Sequence, residues 1–507
     1  MGGGAFSRRG SRPQEEKHMS DVVRTTAKDG SQVEFIYKDP AQGAVKDVYF
    51  APDKSYVVAF FRNPLDPYGK ERIENIVGKY RHDLFEQEGG EYWKEIFCWP
   101  EKIVEYDGRM GLVVPAYEKC YFFDSEPIKG AEKEGKWFAS AKNFNKFVPP
   151  DEKGSLLSFL KICIRLSRGV RRLHAAGLAH SDLSYKNCLI DPKTGSACII
   201  DVDGLVVPGL FPPDVLGTPD FMAPEVVATA DGPKEKRELP KRTTDLHALA
   251  VLIYQYLLHR HPLRGGKIHS TDSEVQERLE MGEKALFVEH PTDASNRPKV
   301  GKNDGVYLPW IDAARIPYKT TGPYLTELFN RAFVDGLHNP SLRPSAGEWE
   351  DALVRTTDLV LPCENPNCVM KWFVFDNKKK AVCPYCGNPY KKQAPVFDFY
   401  ITNDGASYRP ERRRMTIFSG QSLYPWHVDR MTVPNEKLSE KDLERVGYFA
   451  FHNNAWMFVN QRLPDLKNLS TGELIPPGKG VTLTQNLQLL LSGKKTGRIV
   501  NVSIANS

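Results

Sequence analysis

Apolar and polar positions alternate over short runs in the first part of the chain, which predicts an antiparallel β-rich start. A charged segment follows, in which Ile73, Ile76 and Tyr80 recur at the spacing of one helix face. Two further strand-like runs come after this predicted helix. The predicted strands cover residues 33–37, 47–50, 55–62, 102–106 and 110–114.

Two long helices are predicted in the middle of the chain. Leu157, Leu160 and Ile164 begin an apolar stripe that predicts a helix over 156–174 with one buried face. Residues 246–259 are apolar almost all round, as expected of a helix that is buried on every side. The longest mostly apolar stretch is far shorter than the roughly 18–20 residues of a membrane-spanning helix, so no membrane span is expected.

The pattern changes after residue 356. A short segment that contains four cysteines leads into strand-like runs broken by Gly, Pro and Asn, which predicts a small all-β domain. The runs cover residues 414–418, 447–451, 455–459, 480–484 and 498–504.

Composition narrows the class of protein. A length of 507 residues with 41% hydrophobic residues excludes a fibrous or wholly disordered protein. Nine cysteines, four of them clustered, favour a reducing compartment and one metal site over a disulfide framework. No secretory signal is seen, and the sequence before Met19 has the character of an expression tag, so we expect a cytoplasmic protein.

The strongest chemical signal is the run His180-Ser181-Asp182-Leu183-Ser184-Tyr185-Lys186-Asn187, with Asp201 opening Asp-Val-Asp-Gly fourteen residues beyond Asn187. Each half alone also occurs as an ordinary solvated turn. Together they resemble the catalytic loop and metal motif of protein kinases. Phosphoryl transfer needs a carboxylate that orients and deprotonates a hydroxyl, together with oxygen ligands for Mg²⁺. The resemblance makes Asp182 the base and Asn187 and Asp201 the magnesium ligands.

A second motif supports the first. The run Gly217-Thr218-Pro219-Asp220-Phe221-Met222-Ala223-Pro224-Glu225 closely resembles the end of the activation segment of Ser/Thr protein kinases. The resemblance implies a bilobal protein-kinase fold and a protein substrate. It also implies structural roles for Asp245, at the start of the buried helix, and for Arg343, which would pair with Glu225.

The predicted N-terminal lobe departs from the usual kinase pattern. Its glycine loop retains only Gly43, and Phe61 stands where the usual Val-Ala-x-Lys has its lysine. Gly43-Ala44-Val45-Lys46 resembles the with-no-lysine kinases, in which the glycine loop supplies the phosphate-binding lysine. We therefore predict that Lys46 contacts the ATP phosphates; a surface lysine on a hairpin is the alternative. Arg62 is expected on the opposite face of its strand.

A carboxylate from the following helix is expected to hold Lys46. Glu71 and Glu74 compete for this role, and Glu74 is favoured. The same resemblance places Ala59 against ATP.

The hinge between the lobes is expected after the strand at 112–114. It would present the backbone of Ala116 and Tyr117 to the adenine, because the preceding Pro115 has no N–H to donate.

Further substitutions concern the phosphate site and regulation. Ser184 stands where Ser/Thr kinases keep a lysine, and Lys186 is predicted to contact the γ-phosphate instead. Asp203 replaces a glycine of the metal motif and either adds a magnesium ligand or caps a turn. Ser181 replaces the arginine that binds an activation-loop phosphate, and residues 205–216 contain no Ser, Thr or Tyr, which predicts activity without such phosphorylation.

The four clustered cysteines have the spacing of a zinc ribbon. Cys363-x4-Cys368 and Cys383-x2-Cys386 form two short pairs that can place four thiolates around one Zn²⁺. Four cysteines leave no position for a catalytic water, so the predicted site is structural. A redox pair at Cys383 and Cys386 is the alternative.

The C-terminal third is basic at 378–380, at Lys391 and Lys392, and at 412–414, which suggests nucleic acid, an acidic partner or simply a solvated face. The tail faintly resembles a forkhead-associated β-sandwich through Gly420, Trp426-His427 and the run 454–460. The Arg and Ser expected for phosphate binding are not at the matching positions. A partner-docking module is therefore predicted.

The sequence thus predicts an α+β protein with a bilobal protein-kinase fold, a four-cysteine zinc ribbon and a small all-β domain, acting as an ATP- and Mg²⁺- or Mn²⁺-dependent serine/threonine protein kinase. A pseudokinase scaffold and a basic zinc-ribbon nucleic-acid-binding regulator are the alternatives. The domain order also resembles bacterial stress-system kinases, related to tellurite resistance, that accompany a von Willebrand A protein and a PP2C-type phosphatase. This implies those partners and makes a nucleic-acid partner unexpected. The predicted boundaries are 1–30 tag or disordered, 31–117 N-lobe, 118–356 C-lobe, 357–392 ribbon and 393–507 β domain.

Overall fold

In the computed structural model the chain forms two compact units. The first contains residues up to Gln87, Cys98–Glu118 and Asp201–Asp203, and the second contains the remainder. Most of the predicted N-terminal tag, together with Lys378 and Lys379 of the basic run, lies outside the described residues. The structure describes residues 21–43, 45–87, 89–207, 209–211, 213, 216–298, 309–376, 380–402, 404 and 407–505.

The first unit contains an antiparallel hairpin and a five-stranded antiparallel sheet, in the order β3 (Ala41–Gln42), β4 (Lys46–Phe50), β5 (Tyr56–Phe61), β7 (Arg109–Pro115) and β6 (Lys102–Tyr106). The five strands predicted from the sequence are all present. The prediction of a tag or disordered segment over 1–30 is wrong from Val22 onward, because Val22–Thr26 pairs with Gln32–Ile36. The strands are β1 Val22–Thr26, β2 Gln32–Ile36, β3 Ala41–Gln42, β4 Lys46–Phe50, β5 Tyr56–Phe61, β6 Lys102–Tyr106 and β7 Arg109–Pro115.

The two faces of this sheet bury different side chains. On one face Phe35, Tyr49 and Phe60 form an aromatic cluster with neighbouring tyrosines. On the other face Phe61 packs with Ile73 of the helical segment that follows β5. That segment consists of α1 Pro67–Asn75, a π-helical turn Ile76–Tyr80 and α2 Arg81–Phe85.

Helix α1 begins where the sequence supplies a cap. Asp66 accepts a hydrogen bond from the Gly69 N–H at 2.7 Å, and Pro67 occupies the first helical position, where a missing N–H costs nothing.

The second unit begins with a mainly helical region. Helix α5 (Leu156–Ala175) starts at a capping box formed by Ser155 and Ser158 and buries one stripe, as predicted. Helix α7 (Arg242–Leu258) is buried on nearly every side from Thr244 onward, also as predicted. The helices are α3 Gly90–Lys94, α4 Ala141–Lys146, α5 Leu156–Ala175, α6 Pro224–Thr229, α7 Arg242–Leu258, α8 Ser273–Met281, α9 Pro323–Asn330 and α10 Ala346–Thr357, and the hairpin is β8 Cys188–Asp191 with β9 Ser196–Ile199.

The polar segment before α5 is anchored by a buried ion cluster. The Lys133 ammonium lies 2.9 Å from a carboxylate oxygen of Glu152 and 2.9 Å from one of Asp191, and all three side chains are buried. Buried charges are stable only when they are paired in this way. The cluster therefore ties this segment to strand β8.

The four-cysteine segment follows α10 directly. Strand β10 Val360–Pro362 pairs with β11 Trp372–Val374. The Met370 carbonyl accepts a hydrogen bond from the Leu156 N–H at 2.9 Å, so the segment also satisfies a backbone donor at the start of α5.

The C-terminal region has two antiparallel sheets around one apolar core, one of five strands and one of four. An all-β C-terminal domain is thus confirmed. Its elements are β12 Ala394–Thr402, β13 Tyr408–Thr416, β14 Ser422–Leu423, α11 Pro425–Val428, α12 Glu440–Leu443, β15 Gly447–His452, β16 Ala455–Asn460, β17 Lys467–Asn468, β18 Gly480–Thr482, β19 Gln488–Leu490 and β20 Arg498–Ala505.

A buried charge cluster joins the β sandwich to the end of α10. Asp358 accepts hydrogen bonds from Arg413 at 2.8 Å and contacts the His427 ring at 3.1 Å. Burial raises the pKa of the Asp358 carboxyl, but Arg413 and His427 outweigh burial and hold this pKa below its ordinary value. Because His427 is buried in this cluster, its part in the Trp426-His427 signature is structural here.

Among the described residues, no helix has the length and apolar character that crossing a bilayer requires.

Candidate functional site

Lys46 and Phe61 are direct cross-strand partners in the first unit. Strand β4 pairs with β5 so that Lys46 lies opposite Phe61, and the Lys46 ammonium is 5.5 Å from the centre of the Phe61 ring. Side chains of directly opposed residues project from the same face of a sheet. The Lys46 side chain therefore projects from the same face of the sheet as a lysine at position 61 would.

The Lys46 ammonium is held by the Asp-x-Asp segment. It lies 2.6 and 2.7 Å from the two carboxylate oxygens of Asp203 and 3.3 Å from one of Asp201. Burial lowers the pKa of the Lys46 ammonium, but the two negative charges outweigh burial and raise that pKa. Burial likewise raises the pKa of Asp203, and Lys46 more than offsets it, so the pKa of Asp203 lies below its ordinary value.

The carboxylate predicted from the helix does not hold Lys46 in this structure. Glu74 instead contacts the Lys28 ammonium at 2.8 Å, and Glu71 is exposed. The prediction for Glu74 is therefore wrong. The physical reason is that the nearby carboxylate pair of Asp201 and Asp203 already satisfies the lysine.

Arg62 takes the opposite face of the sheet, as predicted. Its guanidinium binds Asp47 at 2.8 Å, and Arg109 binds the second carboxylate oxygen of Asp47 at 2.7 Å. Asp47 is next to Lys46 along β4, so its side chain projects from the other face. Arg62 is thereby committed to a structural pair.

The remaining predicted nucleotide contacts also lie in the first unit. The Gly43 N–H donates to the Lys46 carbonyl at 2.9 Å, which closes the loop before β4, and Ala59 is buried on β5. Ala116 donates its N–H to the Ser55 carbonyl at 3.1 Å. That donor is therefore engaged within the protein, and Tyr117 remains the other predicted hinge residue.

The catalytic-loop residues lie in the second unit, where the Asp182 carboxylate is fixed at both oxygens. The Thr218 N–H donates to one oxygen at 2.7 Å, and the Asn187 amide donates to the other at 3.0 Å and to the Asp182 carbonyl at 2.8 Å. Because the amide nitrogen of Asn187 donates to Asp182, the side-chain oxygen of Asn187 is the atom suited to a metal ion.

The chain before Asp182 is held in an unusual backbone conformation. Ser181 has φ 64°, in the left-handed region that costs a non-glycine residue roughly 1–3 kcal/mol. Asp245 accepts hydrogen bonds from the backbone N–H groups of His180 at 2.8 Å and of Ser181 at 3.2 Å. Asp245 therefore supports the loop from beneath, which is the structural role predicted for it.

Lys186 and Ser184 differ in exposure. The Lys186 side chain is exposed, whereas Ser184 is fully buried and its hydroxyl accepts from the Lys186 N–H at 3.3 Å. Hairpin β8–β9 extends one hydrogen bond beyond its last strand pair, because the Ile200 N–H donates to the Asn187 carbonyl at 3.0 Å. Ile200 directly precedes Asp201 in the chain.

The predicted pair of Glu225 and Arg343 is confirmed. The Arg343 guanidinium donates to both oxygens of Glu225, at 2.8 and 2.7 Å, and the arginine side chain is almost completely buried. Such a two-point pair fixes the start of α6.

Arg264 secures the preceding part of the activation segment, a role that the sequence did not reveal. Its guanidinium donates to the Asp220 carboxylate at 2.8 Å and to Glu277 of α8 at 2.6 Å. The contacts of Arg264 and Arg343 hold residues 217–225, the activation-segment platform, to other residues of the chain.

A groove lies beside the platform. Its volume is about 540 Å³, and apolar side chains such as Met222, Val227 and Met281 line it together with the acidic Asp231 and Glu274. A groove of this kind has room for side chains of a polypeptide.

The four clustered cysteines meet at one point. The Sγ atoms of Cys363 and Cys386 are 3.5 Å apart, those of Cys368 and Cys383 are 3.7 Å apart, and all four lie within 4.8 Å of one another. Zinc–sulfur bonds of about 2.3 Å in a tetrahedron place sulfurs about 3.8 Å apart, so the four thiolates fit Zn²⁺. All nine cysteines are free of disulfides.

The sequence of the helical region has known relatives. Residues 141–304 match the family model described as the protein kinase domain. This part of the chain is similar to protein kinase domains. It contains Asp182, Asn187, Asp201 and the activation-segment platform.

Individual relatives are similar over the same kind of segment. The chain is 28% identical over 142 residues to the serine/threonine-protein kinase PknD of Chlamydia felis, covering 24% of this chain and 14% of that protein. It is 30% identical over 109 residues to the serine/threonine-protein kinase PkaB of Streptomyces coelicolor, covering 19% of this chain and 24% of that protein. The similarity thus spans less than a quarter of the length of either relative.

Proposed function

We propose that the protein is an ATP-dependent serine/threonine protein kinase. The observation that carries the proposal is the Asp182 carboxylate, oriented by Asn187 and by the Thr218 N–H inside the kinase-matching segment. In the proposed reaction the substrate hydroxyl oxygen forms a bond to the γ-phosphorus, while the bond from that phosphorus to the bridging oxygen of ADP breaks. Asp182 accepts the hydroxyl proton.

The charges around the transferred phosphate are assigned to particular side chains. We propose Lys46 as the phosphate-binding lysine, Lys186 as a contact of the γ-phosphate, and Asn187 and Asp201 as the side chains that hold Mg²⁺. Their carboxylate and amide oxygens are the ligand type that Mg²⁺ prefers, and the ion supplies positive charge to the phosphates when it is bound. Gly43, Ala59, Ala116 and Tyr117 are proposed to surround the nucleotide.

The activation-segment platform and the groove beside it support the proposal that the substrate is a protein. The resemblance to bacterial stress-system kinases makes a von Willebrand A protein the proposed substrate and a PP2C-type phosphatase the proposed partner. The β sandwich, whose forkhead-associated character stays a prediction, is proposed as the docking module. Cysteines without disulfides agree with the proposed cytoplasmic location.

The proposal is tested by label transfer. Purified protein is incubated with γ-labelled ATP, Mg²⁺ or Mn²⁺ and a generic protein substrate, beside the variant Asp182→Asn. We expect phosphoserine or phosphothreonine from the parent protein and about 10²–10⁴-fold less from the variant. Equal labelling by both proteins, or label on tyrosine alone, would contradict the proposal.

A pseudokinase scaffold is the second candidate, and one observation favours it. Phe61 cannot neutralise phosphate, and the Lys46 ammonium at this face is already paired with Asp203 and Asp201. This candidate predicts that ATP binds without any transfer in the same assay.

The basic run at 412–414 does not support the nucleic-acid alternative. Arg413 is buried against Asp358, and Arg414 pairs with Asp398 at 2.9 Å. These two cations stabilise the β sandwich and its attachment, so they are not proposed as a binding surface.

A further inference from the structure

The ion pair between Lys46 and Asp203 has the features of a positioning contact. Both carboxylate oxygens of Asp203 lie within 2.7 Å of the Lys46 ammonium, and the two side chains are 18% and 15% exposed. Charge-assisted hydrogen bonds shielded from water are stronger than those of exposed pairs. Lysine also has a long flexible side chain, so two fixed acceptors restrict where its amino group can lie.

The helix carboxylates do not offer the same restraint. Glu74 is 52% exposed and is bound to Lys28, which is itself 44% exposed. Exposed ion pairs of this kind contribute little, because water and salt screen them. The Glu74 pair therefore differs from the Asp203 pair in two ways: it involves another lysine, and it is more exposed to water.

We infer that Asp203 is the positioning residue for Lys46 in phosphoryl transfer, in the role that the sequence predicts for a helix glutamate. This inference rests on the proposed kinase function. The sequence predicts that Asp203 is either an added metal ligand or a turn cap, and a positioning role differs from both. The consequence is that the segment Asp201–Asp203 sets the position of the phosphate-binding amino group, so this lysine is in place independently of the carboxylates of α1.

The Phe61 ring also contacts the Lys46 amino group. It lies 5.5 Å from the ammonium on the side of the neighbouring strand, and an aromatic face attracts a cation. Together the ring and the carboxylate pair leave Lys46 few alternative rotamers. A phosphate group arriving at this face would therefore meet a cation whose position is already fixed, which reduces the entropic cost of binding.

A double-mutant cycle with Lys46→Met, Asp203→Asn and the double variant tests the inference in the full-length chain. The first readout is the unfolding temperature in EDTA without nucleotide, which involves neither metal nor catalysis. We expect each single variant to lose about 2–4 °C and the double variant to lose no more than the worse single. Additive losses would overturn the pairing.

The second readout is turnover with ATP and Mg²⁺. We expect Asp203→Asn to lower kcat roughly 10–100-fold, and we expect raised Mg²⁺ to leave this loss unchanged. A loss that raised Mg²⁺ relieves would identify Asp203 as a metal ligand and overturn the positioning role. Coupled unfolding with an inactive parent protein would instead overturn the kinase function, and with it the catalytic role, while the pair itself would stand.

Two matched controls accompany the cycle. Glu74→Gln tests the replaced role directly, and we expect it to retain most of the turnover; a loss as large as that of Asp203→Asn would contradict the inference. Glu91→Gln with Lys94→Met repeats the cycle at an exposed lysine–carboxylate pair with a 2.6 Å contact. We expect almost no coupling there, since exposed pairs are screened.

Discussion

The two units hold their functional side chains by different means. In the second unit Asp182, Asn187 and the activation segment follow the familiar kinase motif, and backbone and amide hydrogen bonds fix the carboxylate. In the first unit Phe61 stands where the usual lysine is expected, and we propose that the opposed residue Lys46 supplies the positive charge.

The difference shows which features are interchangeable. A proton-accepting carboxylate must meet one hydroxyl in one geometry, so its loop is closely constrained. A cation that neutralises phosphate needs only to reach the right sheet face, and cross-strand neighbours share that face. On our proposal the phosphate-binding charge has therefore moved from one strand to the next, and its counter-ion has changed with it.

Among changes in the second unit, removing the proposed proton-accepting carboxylate should have the largest effect. We expect Asp182→Asn to lower kcat by about 10²–10⁴-fold, because the hydroxyl loses its base, while ATP affinity stays within about twofold. Steady-state kinetics and calorimetric ATP titration measure the two quantities. Loss of ATP affinity in parallel with kcat would show that the carboxylate serves binding and would break the contrast between the units.

Metal removal should disturb the ribbon before the catalytic chemistry. We expect one Zn²⁺ per chain, and chelation should make four further thiols reactive and lower the unfolding temperature, because metal binding and folding of such a site are coupled. Released zinc and thiol counts measure this, with Cys120→Ser as a control outside the cluster. A preparation that folds fully without metal would contradict a structural zinc site.

Loosening the substrate platform should have an intermediate effect. Arg264→Ala leaves the Asp220 carboxylate without its arginine, so we expect the KM for a protein substrate to rise about tenfold while the KM for ATP holds. Arg331→Ala, which removes a more exposed pair with Glu348, is the matched control. Equal effects of both variants would contradict a specific role for Arg264.

Phosphatase treatment should have the smallest effect. The platform is held by Arg264 and Arg343 through carboxylates of the chain itself, so we expect no change in kcat after exhaustive dephosphorylation. Mass spectrometry verifies that phosphate is absent. A loss of activity on dephosphorylation would contradict this expectation.

Local patterns predicted the elements that build the site. Helix α5 was recognisable from its apolar stripe, and α7 from its apolar surface, because burial imposes these patterns directly on the sequence. Strand β12 was missed although it is central in its sheet. Pro395 near its start is a residue that normally argues against a central strand.

Tertiary partners were harder to predict. Lys46 could be proposed because hairpin pairing is local, whereas its partner Asp203 comes from a distant segment that no periodicity connects to β4. Glu74 was favoured because it lies on the next helix, which the fold placed against Lys28 instead. Arg264 gave no signal either, since an arginine in a loop is most often a solvated charge.

The central claim, that the phosphate-binding amino group has moved from position 61 to position 46, is tested most directly by moving it back. We predict that Lys46→Met abolishes measurable phosphoryl transfer, that Arg62→Met does not, and that adding Phe61→Lys to Lys46→Met restores part of the kcat. Full activity of Lys46→Met, or loss of activity in Arg62→Met alone, would contradict the claim.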